Sequence, residues 1–352
     1  MDEREGTAAV MGSTGEWAVS PWVAAQAGGI GWGLQAFAAP DDPRPGASVL
    51  AAGQWAERLG FDAFFIGDHP AYATECWIHL AYLAAITERI HLGSVVNCVL
   101  YRHPVMLARL AADLDHLSDG RLILGLGIGW NATEFAQLGQ PFPPVAERQL
   151  ALEETVAILR GVWGDAPFTF AGRVFSTTDE RVFPPPKQQP APPLIIAGAG
   201  EQVTLRQVAR FADACNFGAG TQVGGVRTVD DVRHKLEVLR SHCRELGRPY
   251  EQILKTHFTG WLILAEDDAA VAAKVARYYP NGIPDQLRPS RIVGTPEVAI
   301  AYYQALVDAG IEYFVVQTLD ASDQETIELL AKRVVPNVRA RWSETAAETA
   351  GG

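Results

Sequence analysis

Asp68 and His69 stand side by side at the end of a short apolar run, residues 63–67. An imidazole can donate, accept or carry a proton near neutral pH, and the neighbouring carboxylate adds a charge at the same strand end. A second group is Gly198-Ala199-Gly200, which closes the apolar run 194–197 just before a helix-type segment at 203–211. Backbone N–H groups at a helix start attract anions, helped by the helix dipole, and glycines let a phosphate come close. The third is the stretch 117–135, in which Gly125, Gly127 and Gly129 alternate with Leu124, Leu126 and Ile128. Side chains alternate along a strand, so these glycines share one bare face, open to something flat or to another backbone.

The elements that must carry these groups alternate between two types. Strand-type runs fall at 30–37, 63–67, 90–97, 121–129, 194–197, 214–217, 256–264 and 313–317. Between them lie helix-type segments at 49–59, 77–87, 104–117, 132–138, 145–163, 203–211 and 229–246, with a last one from 324. A small hairpin is expected at 168–177, followed by a Pro-rich link, 184–193. Eight strands with intervening helices predict an α/β fold, a (β/α)8 TIM barrel with insertions. A doubly wound open sheet ranks second, because no G-x-G-x-x-G follows the first strand. The expected organisation is a mobile N-terminal arm over 1–28, one catalytic barrel over 29–342 with a candidate lid at 266–291, and a flexible tail over 343–352. Barrel active sites form at the carboxyl ends of the strands. Those ends offer Gln35, Phe37, Asp68, His69, residues 95–97, 127–130 and 198–200, Asn216, and residues 259–261. Glycines and aromatics with few titratable groups suit a flat redox cofactor better than a hydrolytic triad.

Composition narrows the class. The 352 residues carry a formal net charge of -12, which argues against a general nucleic-acid binder or an anionic-membrane surface protein. The four cysteines form no C-x-x-C pair, as in a reducing, cytoplasmic setting. The histidines show no zinc-type spacing, so no metal is expected. No apolar run reaches membrane-spanning length, and the acidic start at residues 2–5 does not read as a signal peptide. Tyr72, Trp77, Tyr101 and Trp261 are candidate walls of an apolar substrate pocket.

Several motifs stand in one order over roughly residues 30 to 340: Tyr101-Arg102-His103-Pro104, the glycine strand ending in Gly129-Trp130 with Glu134-Phe135 beyond it, residues 193–201, and residues 204–216. In this the chain resembles the luciferase-like monooxygenase superfamily, in the branch that uses the deazaflavin coenzyme F420. The resemblance implies a bacterial luciferase-like barrel that moves a hydride between F420 and a small organic substrate. It places Asp68 and His69 beside the reactive ring carbon as catalytic and cofactor-binding residues. It aligns Val95-Val96 with a non-proline cis peptide behind the ring, followed by Asn97, with Gly127 and Gly129 nearby. It puts the cofactor phosphate at Gly198, Ala199, Gly200, Glu201 and Thr204, with the Glu201 side chain turned away. Trp130 stands where some relatives carry an acid, and no proton-donor role passes to it. Glu134 is expected to order a helix start. Relatives are often dimers, so a homodimer is allowed. The same barrel also suits an FMN-dependent monooxygenase, or a flavin-binding barrel without turnover.

Overall fold

A computed structural model describes residues 19–39, 41–71, 73–218 and 225–350. Along the chain, helix α1 (Pro21–Ala25) precedes β1 (Gly31–Ala36), α2 (Pro45–Leu59), β2 (Ala63–Ile66), α3 (Cys76–Ile86) and β3 (His91–Cys98). Next come α4 (Pro104–Leu117), β4 (Leu122–Gly127), α5 (Ala132–Gln137) and α6 (Val145–Val162). A hairpin of β5 (Phe168–Ala171) and β6 (Ser176–Glu180) leads to β7 (Leu194–Ala197), α7 (Thr204–Phe211), β8 (Ala214–Gly218) and α8 (Val229–Leu246). The chain continues through β9 (Leu254–Leu264), α9 (Asp268–Tyr278), β10 (Arg291–Gly294), α10 (Pro296–Asp308), β11 (Tyr313–Thr318), α11 (Gln324–Leu329) and α12 (Val335–Ala350).

Eight of these strands close a parallel barrel in the order β1-β2-β3-β4-β7-β8-β9-β11 and back to β1. This is the expected (β/α)8 TIM barrel. All residues of β1, β2, β4 and β11 are buried, as parallel strands covered by helices on the outside must be. Local signals set many helix starts: His103 caps α4 by accepting from the Val105 N–H, and Thr228 with Asp231 forms a capping box on α8.

Two apolar layers result. Inside the barrel pack Ala63, Phe65, Ile123, Ile195, Leu254 and Val315. The larger layer lies between strands and helices. The amino-terminal end of the barrel is plugged by α1. Its Trp22 is 2% exposed and meets the Tyr313 ring edge-on at 5.4 Å. Residues 21–25 were expected within a mobile arm; the burial of Trp22 and Val23 makes them part of the barrel instead, while residues 1–18 lie outside the described residues. At the other terminus the backbone of α12 is helical to Ala350, where a flexible tail from 343 was expected.

The expected lid at 266–291 contains α9, and β10 follows it. The sequence pattern did not reveal β10. It pairs with β9 from Trp261 to Leu264, on the edge that β8 occupies only as far as Phe258. The expected fourth strand also ends early. Gly129 lies beyond β4 with φ of 73°, so it is not on the strand face shared by Gly125 and Gly127.

Candidate active site

Strand β2 ends at Ile66, and the chain turns at the barrel's carboxyl rim so that Asp68 and His69 part company. The Asp68 side chain is 1% exposed. Arg102 Nη1 donates to its Oδ2 at 2.7 Å and Nη2 to its Oδ1 at 3.0 Å, and the Cys98 N–H adds a bond at 3.2 Å. Arg102 Nη2 also donates to Glu75 at 2.6 Å. Asp68, Glu75 and Cys76 thus converge, with the guanidinium as their common cation. Burial, and then the Asp68 charge, push the Cys76 thiol up, so it stays protonated. The Asp68 carboxylate, expected beside the cofactor, also holds the strand ends together through Arg102 and the Cys98 N–H.

His69 remains at the rim with 22% of its side chain exposed. Its Nδ1 lies 3.0 Å from Glu134 Oε2, and the edge of Trp130 approaches the ring with centroids 6.1 Å apart. Glu134 is fully buried. It also accepts from the Ala71 N–H at 3.4 Å and from the Tyr101 hydroxyl. Burial and then that hydrogen bond push the Tyr101 phenol up. Asn131, not Glu134, caps α5, since its Oδ1 accepts from the Thr133 and Glu134 N–H groups. The role expected of Glu134 is corrected accordingly.

On β3 the Val95–Val96 peptide is cis, at the position the family resemblance indicated. Gln35 Nε2 donates to the Val95 carbonyl at 3.2 Å, and Gln317 Nε2 donates to Gln35 Oε1 at 3.1 Å. Asn97 is buried, accepting from Trp77 Nε1 and donating to the Gly125 carbonyl, each at 3.0 Å. It ties β3 to β4 and to α3. Trp77 is buried by the same contacts, and so serves as core rather than pocket wall.

The glycine face of β4 turns out to be filled. A Cβ on Gly127 would stand 2.5 Å from Val96 Cγ2, and one on Gly125 would stand 2.1 Å from the Ser94 carbonyl oxygen. A Cβ on Gly129 would meet Cys98 Sγ at 2.7 Å. The glycines make room for β3 and for Val96 across a register shift between Ser94 and Asn97. The space beside Gly127 is taken by the Val96 side chain.

Strand β7 runs into Gly198, Ala199 and Gly200, with α7 starting at Thr204. Gly198 has φ of 133° and its N–H donates to the Asn216 carbonyl at 3.0 Å. A Cβ on Gly200 would lie 2.9 Å from Thr204 Oγ1, which accepts from Gln149 Nε2 at 2.9 Å. The Glu201 carboxylate points to α8, where it accepts from Lys235 and, at 3.0 Å, pairs with His234. These hydrogen bonds, Lys235 first, hold its carboxyl below the usual range. The turn itself is left free of that charge.

Around the rim, Phe37 meets Trp261 with ring centroids 5.0 Å apart, and the Arg291 guanidinium lies 5.6 Å from the Trp261 ring. The candidate lid helix α9 is pinned. Lys274 Nζ donates to the Leu264 carbonyl at 2.7 Å and to Asp323 at 2.9 Å, and pairs with Glu325 at 2.7 Å. Tyr72 lies outside the described residues. A groove of about 700 Å³, lined among others by Glu57, Asp62, Arg89 and Arg339, opens beside Gln26 and Gly28 at the opposite, amino-terminal end of the barrel. It shares no residue with this site.

Sequence reasoning missed Arg102, Tyr101 and Glu134 as the second layer behind the Asp68-His69 pair. The available signal was the charged and phenolic pair Tyr101-Arg102 directly after a β-type run. The luciferase-like monooxygenase family model matches residues 30–309. The chain is 26% identical over 317 residues to an F420-dependent glucose-6-phosphate dehydrogenase of Amycolatopsis mediterranei, across 81% of this chain and 92% of that one. It is 27% identical over 340 residues to the 4-hydroxyprotoasukamycin monooxygenase of Streptomyces nodosus subsp. asukaensis, across 86% and 91%. Among solved structures, the coenzyme F420 dependent tetrahydromethanopterin reductase of Methanopyrus kandleri has the same fold, with a TM-score of 0.73 at 20% identity over 88% of this chain and 99% of that one.

Proposed function

The chain belongs to the luciferase-like monooxygenase family, and from that membership we propose an F420-dependent oxidoreductase that moves a hydride between the deazaflavin and a small organic substrate. The observation that carries the site assignment is His69 at the carboxyl rim, its Nδ1 on a buried carboxylate, just past the end of the strand that neighbours the cis Val95–Val96 peptide.

The residues present fit the cofactor. The Gly198-to-Gly200 turn is a cradle that a Cβ would fill, and the Glu201 charge is turned away from it. A phosphate held there would meet the N–H groups of Ala199, Gly200 and Glu201 and the start of α7 at Thr204. The ring would rest against Val95 and Val96, with Asn97 tying β3 to β4, Gly127 making room for Val96 and Gly129 making room for Cys98. Bound F420 supplies a ring carbon that takes or gives up a hydride. His69 exchanges the accompanying proton with the substrate. Gln35 and Gln317 hold the Val95 carbonyl, Asp68 and Arg102 hold the rim, and Trp130 shields one side of the imidazole from water.

Titration of the purified protein with F420 and with FMN tests this. F420 should bind at least about tenfold tighter, equivalent to 1.4 kcal/mol. Equal or reversed affinities would favour the flavin monooxygenase reading, which the similarity to 4-hydroxyprotoasukamycin monooxygenase keeps in view.

Two further readings accompany this one. A homodimer through α3 and α4 would cover Ile78, Tyr82 and Met106, which are 69%, 56% and 56% exposed on helices that pack together. A cytoplasmic setting accords with the four free, buried cysteines. Among the described residues, no helix is long and apolar enough to cross a membrane.

A further inference from the structure

We propose that Glu134, braced by Tyr101, is the positioning residue that fixes the tautomer and orientation of His69. This rests on the reading of His69 as the proton carrier of the site.

A fully buried carboxylate is costly unless charge and hydrogen bonds offset its lost hydration. The partners of Glu134 are His69 Nδ1 at 3.0 Å, the Ala71 N–H at 3.4 Å and the Tyr101 hydroxyl. Its ion-pair partner among the described residues is His69 itself, with no arginine or lysine in reach. The two neighbouring carboxylates are offset differently, since Arg102 takes both Asp68 and Glu75. Of the three partners of Glu134, the imidazole is the one that can carry a positive charge.

The geometry has a direct chemical reading. With Glu134 ionised, Nδ1 must be the donor, so the hydrogen sits on Nδ1 and the basic lone pair on Nε2. A proton arriving on Nε2 would create an imidazolium with its charge already opposed by the carboxylate. A carboxylate behind a histidine does this same work in hydrolytic triads. The support is rigid. Asn131 caps the helix that carries Glu134, and Phe135 packs against Tyr101 and Phe142 with centroids 5.1 and 5.0 Å apart. The chain spends no local backbone need on Glu134, because Asn131 already satisfies the start of α5.

Glu134→Gln in the full-length protein is the test, read first by ¹⁵N NMR of His69 without cofactor, with the signals assigned by their loss in His69→Ala. Wild-type protein should show hydrogen on Nδ1. The variant should show a mixture or the Nε2–H form. Turnover at saturating F420 should fall by about 10²- to 10⁴-fold, with the cofactor Kd within about twofold. Glu134→Asp, which keeps the charge, should recover part of the turnover and of the Nδ1–H signal, and it serves if Glu134→Gln does not fold. An unchanged tautomer in a folded variant overturns the positioning role. A shifted tautomer with normal turnover upholds it and overturns instead the reading of His69 as proton carrier.

Discussion

Arg102 clasps Asp68 through both terminal nitrogens, at 2.7 and 3.0 Å, with the Asp68 side chain 1% exposed and that of Arg102 17%. Removing one partner of such a pair strands the other's charge in the interior. Arg102→Met should destabilise the protein by roughly 3–5 kcal/mol, measured by denaturant unfolding. Asp68→Asn in the same chain should recover part of the loss. A cost below about 1 kcal/mol would mean the pair behaves like an ordinary surface ion pair.

Val96 and Gly127 share one small space between β3 and β4, since a Cβ on Gly127 would lie 2.5 Å from Val96 Cγ2. Gly127→Ala should cost about 1–3 kcal/mol through overpacking, and Val96→Ala should relieve most of it in the double variant. Gly125→Ala should show no such relief, because its clash is with the Ser94 carbonyl oxygen at 2.1 Å. A double-mutant cycle with no coupling between positions 96 and 127 would contradict this packing.

His257, on β9, is buried with no hydrogen-bond partner for Nδ1 among the described residues, and burial pushes its pKa from 6.5 down to about 4. The unfolded chain then binds a proton that the folded protein refuses. The effect is absent above pH 6.5 and grows as pH falls toward 4, reaching at most roughly 3 kcal/mol. His257→Gln should flatten the dependence of unfolding free energy on pH in that window. An equal slope in both proteins would assign acid sensitivity to other groups.

His69 should matter to turnover more than to folding. A proton-transferring imidazole contributes about 10²- to 10⁴-fold, so His69→Ala should lose that factor with the circular dichroism unchanged. Saturating cofactor separates chemistry from binding in this comparison. Near-normal turnover under those conditions would reduce His69 to a tie between the β2 end and α5.

The local pattern of the chain determined the barrel. Apolar runs such as 63–67 and 313–317 are too short for helices and are spaced by amphipathic segments, so strand and helix type, chain order and the rim position of Asp68 and His69 were all legible. The hairpin near 168–177 and the Gly198-to-Gly200 turn were legible too, because turn residues act within a few positions. Partnerships across the barrel were not. His69 meets Glu134 from 65 residues away and Asp68 meets Arg102 from 34, distances that only strand register can close. Register also decided that Val96, and not open space, lies against Gly127, and side-chain packing drew α1 into the barrel end where a mobile arm was expected. Periodicity says which residues share a face; only the closed sheet says what that face meets.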